Sequence, residues 1–214
     1  MKIIITGTTG MVGEAVLLEC LNNAKVSEVI SISRKPIYNE HPKLKQLIVK
    51  DFTQLNQYKE QINGYDACFF CAGISSVGKK EDEFSNITYY TTLAFAKTLY
   101  EVSPNISFIY VSGAGTDSSE KGKVMWARVK GKTENDLVKI GFKKVYNFRP
   151  GAMLPYPNQK NVNKLFIFLA KTINFFSPKS VLKLSEVGKA MINSVEIDYN
   201  KNIIEISDIK ELAK

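Results

Sequence analysis

Lys2-Ile3-Ile4-Ile5-Thr6-Gly7-Thr8-Thr9-Gly10-Met11-Val12-Gly13 is the stretch that decides how this chain is read. An apolar run of strand length passes into three glycines spaced three apart, and the helical pattern begins at Val12. A strand that turns sharply into a helix needs a first glycine for the tight turn. The second lets the backbone approach a pyrophosphate, and the third lets helix and strand pack closely. Backbone N–H groups and the positive end of the helix dipole then face the phosphates. Gly7, Thr9, Gly10, Met11, Val12 and Gly13 are therefore expected to hold a dinucleotide.

Working outward, short apolar runs recur at Lys2–Thr6, Val29–Ser33, Leu47–Lys50, Ala67–Ala72, Phe108–Ser112 and Val145–Phe148. They are rich in Ile, Val and Phe, as strands covered on both faces are. Between them lie stretches of helical periodicity at Val12–Asn22, Leu55–Gln61, Asp82–Val102 and Lys123–Ile140. This alternation predicts an α/β fold, a Rossmann-like, doubly wound parallel sheet flanked by helices with right-handed crossovers. Gly141 and Ser103-Pro104 supply chemical stops for two of the helices. After Pro155 and Pro157 come an apolar helix, a short strand near Val181–Leu184, a helix from Ser185, and a strand-helix pair over Ile203–Lys210. We expect one domain over 1–214, with a cofactor-binding core in 1–155 and a C-terminal pocket and cover segment in 156–214.

Composition narrows the class. The chain has 214 residues, 44% of them hydrophobic, enough for a sizeable core without disulfides or metals. Cys20 stands alone, and Cys68 and Cys71 lie in an apolar run without a second pair of ligands, so buried, reduced thiols are expected. No metal site is expected. The net charge of +8 is dispersed, with acids near Lys79-Lys80 and along Lys121–Lys132, which describes a solvated surface and not a nucleic-acid footprint. The N-terminus reaches its glycines too soon for a secretory signal, and no apolar run reaches the ~18 residues of a membrane span. A cytoplasmic protein is expected. His41, the sole histidine, falls in a polar loop.

The second strand ends in Ser33-Arg34-Lys35-Pro36, about 20 residues past the last glycine, where an NAD site places an acid for the ribose hydroxyls. Arg34 and Lys35 suit a 2′-phosphate instead, so NADP is expected over NAD. Asp51-Phe52 follows the third strand. Its carboxylate is placed to accept from the adenine amino group, or equally to cap a helix. Cys71-Ala72-Gly73 ends the fourth strand with residues small enough for the adenine ribose to pass close to the backbone.

Thr6–Gly13, Cys71–Gly73, Val111-Ser112-Gly113-Ala114-Gly115 and Phe148-Arg149-Pro150-Gly151 together resemble the atypical or extended branch of the short-chain dehydrogenase/reductase superfamily. The likeness spans residues 1 to about 155. It is strongest to the Tat-interacting-protein-2-like (TIP30-like) and NmrA-like NAD(P)-binding proteins. The resemblance implies a serine after the fifth strand, matched by Ser112, and a Tyr-x-x-x-Lys pair whose lysine is matched by Lys130. It also implies that Pro150 and Gly151 line the nicotinamide end. The tyrosine position holds Trp126, whose indole donates a hydrogen bond but does not exchange protons near neutral pH. Tyr89, Tyr90, Tyr110 and Tyr156 are the candidates to replace it, although none has the partner spacing and Tyr110 is expected in the core.

Two functions follow from the resemblance. One is an NADP-dependent oxidoreductase or epimerase-like enzyme acting on a small carbonyl or hydroxyl substrate. The other is a cofactor-binding sensor or scaffold with little chemistry. A homodimer over the Asp82–Val102 and Lys123–Ile140 helices is also implied. Val162, Leu165, Phe166, Leu169, Ile173 and Phe176 recur at helical spacing, and core packing is the first expectation for that face. A pocket wall and contact with an anionic membrane surface, flanked by Lys164, Lys171 and Lys179, are the alternatives.

Overall fold

Nine strands and seven α-helices alternate along the described chain, and all seven strands of the main sheet run parallel. The computed structural model describes residues 1–162 and 164–214. The side chains of residues 164–166, and with them the expectations for Lys164, Leu165 and Phe166, lie outside the described residues.

The strands are β1 (Lys2–Thr6), β2 (Glu28–Ser33), β3 (Leu44–Ile48), β4 (Ala67–Phe70), β5 (Ser107–Val111), β6 (Lys144–Phe148), β7 (Ala152–Leu154), β8 (Val181–Lys183) and β9 (Ile203–Ile204). Their order in the main sheet is β3-β2-β1-β4-β5-β6-β9, while β7 and β8 form a separate parallel pair. The helices are α1 (Met11–Asn22), α2 (Glu81–Ser85), α3 (Thr91–Val102), α4 (Met125–Ile140), α5 (Lys164–Phe176), α6 (Leu184–Glu196) and α7 (Ile206–Leu212). The doubly wound, Rossmann-like fold expected from the alternation is the one observed.

Strand chemistry explains the two layers of core. Along β1, Ile3 and Ile5 point to one face and Ile4 to the other, all fully buried. The first face is covered by α1, α6 and α7. The second holds a phenylalanine stack in which Phe70 meets Phe95 at 5.2 Å and Phe108 meets Phe142 at 5.0 Å. Each such side chain removed from water contributes about 1.5–3 kcal/mol, so a strand apolar on both faces is stable only between two helical layers.

Boundaries shift where local chemistry overrides the apolar pattern. The expected Leu47–Lys50 strand is β3, which begins earlier at Leu44 and, as the edge of the sheet, exposes Lys45, Gln46 and Ile48. The expected helix over Leu55–Gln61 is a 3-10 segment over Phe52–Gln61, entered through an Asp51 cap. The single helix expected over Asp82–Val102 is α2, a π-helical turn over Asn86–Tyr90, and α3. The C-terminal segment does more than cover a pocket: β9 extends the main sheet beside β6, and α6 packs on α1.

One expectation about packing is overturned. The apolar face of α5 is not core: Leu169, Ile173 and Phe176 are 46%, 42% and 79% exposed, and Phe168 and Phe175 beside them are 67% and 81% exposed. Helical spacing identifies an apolar face but not what lies opposite it. Here the small Ala170 is the side chain that α5 turns inward.

Candidate functional site

The glycine turn is held open by backbone contact. Gly7, directly after β1, has φ +73°, and a Cβ there would lie 2.6 Å from the backbone of Cys71 and Ala72. Gly13 sits one turn into α1, where a Cβ would lie 2.2 Å from the Gly7 carbonyl oxygen. No other residue fits either place without moving main chain. Between them, the Gly10 N–H donates to the Gly7 carbonyl at 2.9 Å, and Gly10 caps α1 without a side chain. Thr6 and Thr8 brace the turn. The Ala72 N–H donates to Thr6 Oγ1 at 3.2 Å, and Thr8 Oγ1 lies 2.7 Å from Ser31 Oγ.

A cavity of about 410 Å³ opens over this turn at the carboxyl ends of β1, β2 and β4. Thr9 and Gly10 border it on the turn side, Arg34 at the end of β2, Asp51 and Phe52 after β3, and Cys71, Ala72 and Gly73 after β4. The strand order reverses between β1 and β4, so the cavity lies at the topological switch point of the sheet, where open α/β sheets bind ligands. Asp51 serves both of its expected roles in part: it lines the cavity and it caps the 3-10 segment. It accepts from the Thr53 N–H at 2.9 Å and from Thr53 Oγ1 at 2.8 Å, and these bonds hold its carboxyl below its ordinary pKa.

Not every expected contact faces this cavity. Met11 and Val12 turn toward the α1–α6 core, and the loop after β7 crosses over them. In that loop Gln159 Nε2 donates to the Met11 carbonyl, while Glu14 accepts from the Lys160 and Asn161 N–H groups at 2.9 and 2.6 Å. Lys35 is exposed beside the cavity rather than in its wall, and its carbonyl accepts from Ser33 Oγ. Lys50 lines the wall in its place, as do Ile87 and Thr91. Sequence reasoning passed over Lys50 because it closed the expected third strand. The signal available was its position immediately before Asp51.

The second cluster lies along the same carboxyl edge, one strand over. Ser112 follows β5, is buried, and places its Oγ 2.8 Å from Thr116 Oγ1. Lys130 reaches it from α4: its Nζ donates to the Ser112 carbonyl at 2.9 Å and the Val111 carbonyl at 3.3 Å. Burial lowers the Lys130 pKa to about 8, with the Glu134 carboxylate opposing the shift. Trp126, one turn earlier, turns its ring toward Gly113 and Gly115, where an added Cβ would lie 3.7 and 3.8 Å from it. Pro150 and Gly151 close the cluster, because the Pro150 carbonyl accepts from the Ala114 N–H at 2.9 Å. The structure thus brings Ser112, Trp126, Lys130, Pro150 and Gly151 together, outside the walls of the glycine-turn cavity.

The tyrosine candidates stand elsewhere. Tyr89 donates to Asp136 at 2.8 Å on the outer side of α3 and α4, Tyr90 is exposed, and Tyr156 accepts from Asn22 at 3.4 Å. Tyr110 is buried in β5 as expected, with its ring 5.6 Å from Lys130 Nζ. A buried ion network behind the cluster had no place in the sequence reading. Arg149 donates from Nε to Glu134 Oε1 at 3.0 Å, from Nη2 to Glu134 Oε2 and Ser118 Oγ, and from Nη1 to Glu205 at 3.2 Å. Arg149 directly precedes Pro150, and Glu134 lies one turn beyond Lys130, so this network clamps α4 to the end of β6. The cysteines are free thiols, and burial pushes Cys71 up to about 12.

Comparison with known proteins agrees with this geometry. The family model described as "NAD dependent epimerase/dehydratase family" matches residues 3–123, more than half of the chain. The chain belongs to the NAD-dependent epimerase/dehydratase family. Within reach of this family assignment, it is 25% identical over 206 residues to "Protein FMP52, mitochondrial" of Candida albicans, covering 93% of this chain and 87% of that one. It is 28% identical over 156 residues to "Protein HTATIP2" of Rattus norvegicus, covering 72% of this chain and 63% of the rat protein. Among solved structures, MoeE5 in complex with UDP-glucose and NAD superposes with a TM-score of 0.70 at 13% identity, covering 100% of this chain and 81% of that one. That likeness is one of fold. The resemblance inferred from the motifs is thereby supported. The expectation of a cytoplasmic protein is corrected, because the Candida relative and four further proteins of that name are called mitochondrial. No helix among the described residues is long and apolar enough to cross a membrane.

Proposed function

We propose that this epimerase/dehydratase-family chain binds a nicotinamide dinucleotide along the carboxyl edge of its sheet and uses it in hydride transfer. Its substrate on this reading is a small carbonyl or hydroxyl compound, and its reaction that of an oxidoreductase or epimerase, with NADP preferred to NAD. The single observation that carries the reading is the cavity joining Gly7 and Gly10 to Arg34, Lys50 and Asp51 at the switch point. The turn suits a pyrophosphate, since it leaves no room for a Cβ at Gly7 or Gly13 and leads directly into the N-terminus of α1.

In this arrangement the Gly7–Gly13 turn holds the phosphates. Arg34 and Lys50 face the 2′-phosphate, the arginine with a planar fork and the lysine as a point charge. Asp51 accepts from the adenine amino group, and Cys71, Ala72 and Gly73 border the adenine ribose. The cofactor supplies the hydride; orientation and charge come from the protein. Lys130 and the Pro150-Gly151 turn hold the nicotinamide half, and the Ser112–Thr116 hydroxyl pair orients the substrate oxygen. Trp126 cannot relay a proton. Lys130, poised near 8, is the group of this cluster able to release and regain one near neutral pH.

Loss of NADPH absorbance in the presence of a panel of small aldehydes and ketones tests the reading. Wild-type protein is expected to oxidise NADPH with at least one of them, and Lys130→Ala to lower that rate by about 100-fold or more. Equal rates in the two proteins, or tight NADPH binding without oxidation by any carbonyl or epimerisation of any hydroxyl substrate, would contradict it.

A further inference from the structure

We propose that the exposed face of α5 is a docking surface for an anionic lipid bilayer, on which the protein lies peripherally with α5 in the plane of the interface. The geometry that points there is independent of the cofactor site. Phe168, Leu169, Ile173, Phe175 and Phe176 are all exposed, and they occupy one continuous arc of the helix. Phe175 and Phe176 meet edge to face at 5.2 Å, forming an aromatic wedge at the C-terminal end of α5. Monomeric soluble proteins scatter exposed apolar side chains singly, whereas five on one helix face form a contiguous patch.

Charge selects the occupant. From Leu137 to Ser185 the chain contains no aspartate or glutamate, although it carries nine lysines and arginines. Of these, Lys160 precedes α5, Lys171 lies on it and Lys179 follows it; all three are exposed, and among the described residues none forms an ion pair. Some surface lysines elsewhere do find acids, as Lys25 does with Glu196, Lys59 with Glu101 and Lys139 with Asp136. An apolar arc flanked by these three cations, with Glu14 turned onto the Lys160 and Asn161 N–H groups as the acid beside them, matches an anionic headgroup layer over hydrocarbon. A second copy of this chain would bring the same positive rim against itself. At 13 residues α5 spans about 20 Å, less than a bilayer core of about 30 Å, so it lies on the membrane and does not cross it.

Co-flotation with vesicles tests this. The full chain is expected to float with vesicles of phosphatidylcholine mixed with phosphatidylglycerol, to stay behind with phosphatidylcholine alone, and to be released by high salt. The double substitution Phe175→Ser/Phe176→Ser is expected to lower the partition into anionic vesicles by about tenfold or more. Because both side chains are exposed, the variant keeps its circular dichroism and its NADPH affinity. Failure to float with anionic vesicles, or equal flotation of the variant, overturns the proposal. So does a concentration-dependent dimer in light scattering that the double substitution abolishes while flotation is absent, which would assign the face to a second copy.

Discussion

Lys130 is the residue on which binding and stability pull in opposite directions. Its ammonium is drawn out of water onto the carbonyls of Val111 and Ser112, and burial lowers its pKa to about 8 from 10.5. Unfolded chain therefore holds this proton more tightly than folded chain between those two values. The cost of burying the charge is fully present below about 8 and disappears as pH rises toward 10.5. Lys130→Met is accordingly expected to raise stability against urea at neutral pH by about 1 kcal/mol and to lose that advantage near pH 10.5, while NADPH affinity falls. A variant less stable than wild type at neutral pH would mean that the two carbonyl contacts outweigh desolvation. Much of this site was legible at the residue scale. Gly7, Gly13 and Arg34 follow from spacing alone, because a turn conformation, a close helix approach and a strand end each restrict which residue fits. Lys50 and Thr116 were not legible, since each depends on where a loop of ordinary composition folds back.

At the scale of elements, α4 is fixed to the end of β6 by charge in addition to the apolar packing of Leu137. Glu134 is 2% exposed and Arg149 7% exposed, and each is the other's main partner. Removing one member of such a pair leaves the other buried and uncompensated. Glu134→Gln should destabilise the protein by about 3 kcal/mol in urea unfolding, and should weaken hydride transfer because Lys130 and Pro150 sit at the two ends of the clamp. A change below about 0.5 kcal/mol would reduce the network to a surface contact. The sequence does not announce this pair: Arg149 looks like part of a loop motif and Glu134 like a solvated helix residue. The π turn over Asn86–Tyr90 is equally silent, because the apolar period of α2 and α3 runs through it. Yet it sets Ile87 and Thr91 against the cavity. The face of α5 was visible as a face, but periodicity is blind to what lies across from it, and the core assignment failed for that reason.

The whole molecule is organised by one topological fact. All strands of the main sheet are parallel, so every carboxyl end lies on one edge, and the order reverses between β1 and β4. The glycine-turn cavity occupies that reversal, and the Ser112–Lys130 cluster stands over the neighbouring β5. A dinucleotide stretched along this edge would join the two clusters, which share no cavity wall. The alternation of apolar runs and helical stretches sufficed for this architecture, since strands buried on both faces leave few other ways to arrange them. The strand at Ile203 was legible as a strand, but not its place beside β6 in the main sheet, because two residues carry too little pattern to name a partner. Parallel calorimetric titrations of NADPH and NADH into wild-type protein and Arg34→Ala test the central claim most directly. We expect NADPH to bind more tightly than NADH, by about tenfold or more, and Arg34→Ala to remove most of that difference while leaving NADH affinity nearly unchanged. Equal binding of the two nucleotides would contradict the 2′-phosphate assignment, and no binding of either would contradict the dinucleotide site itself.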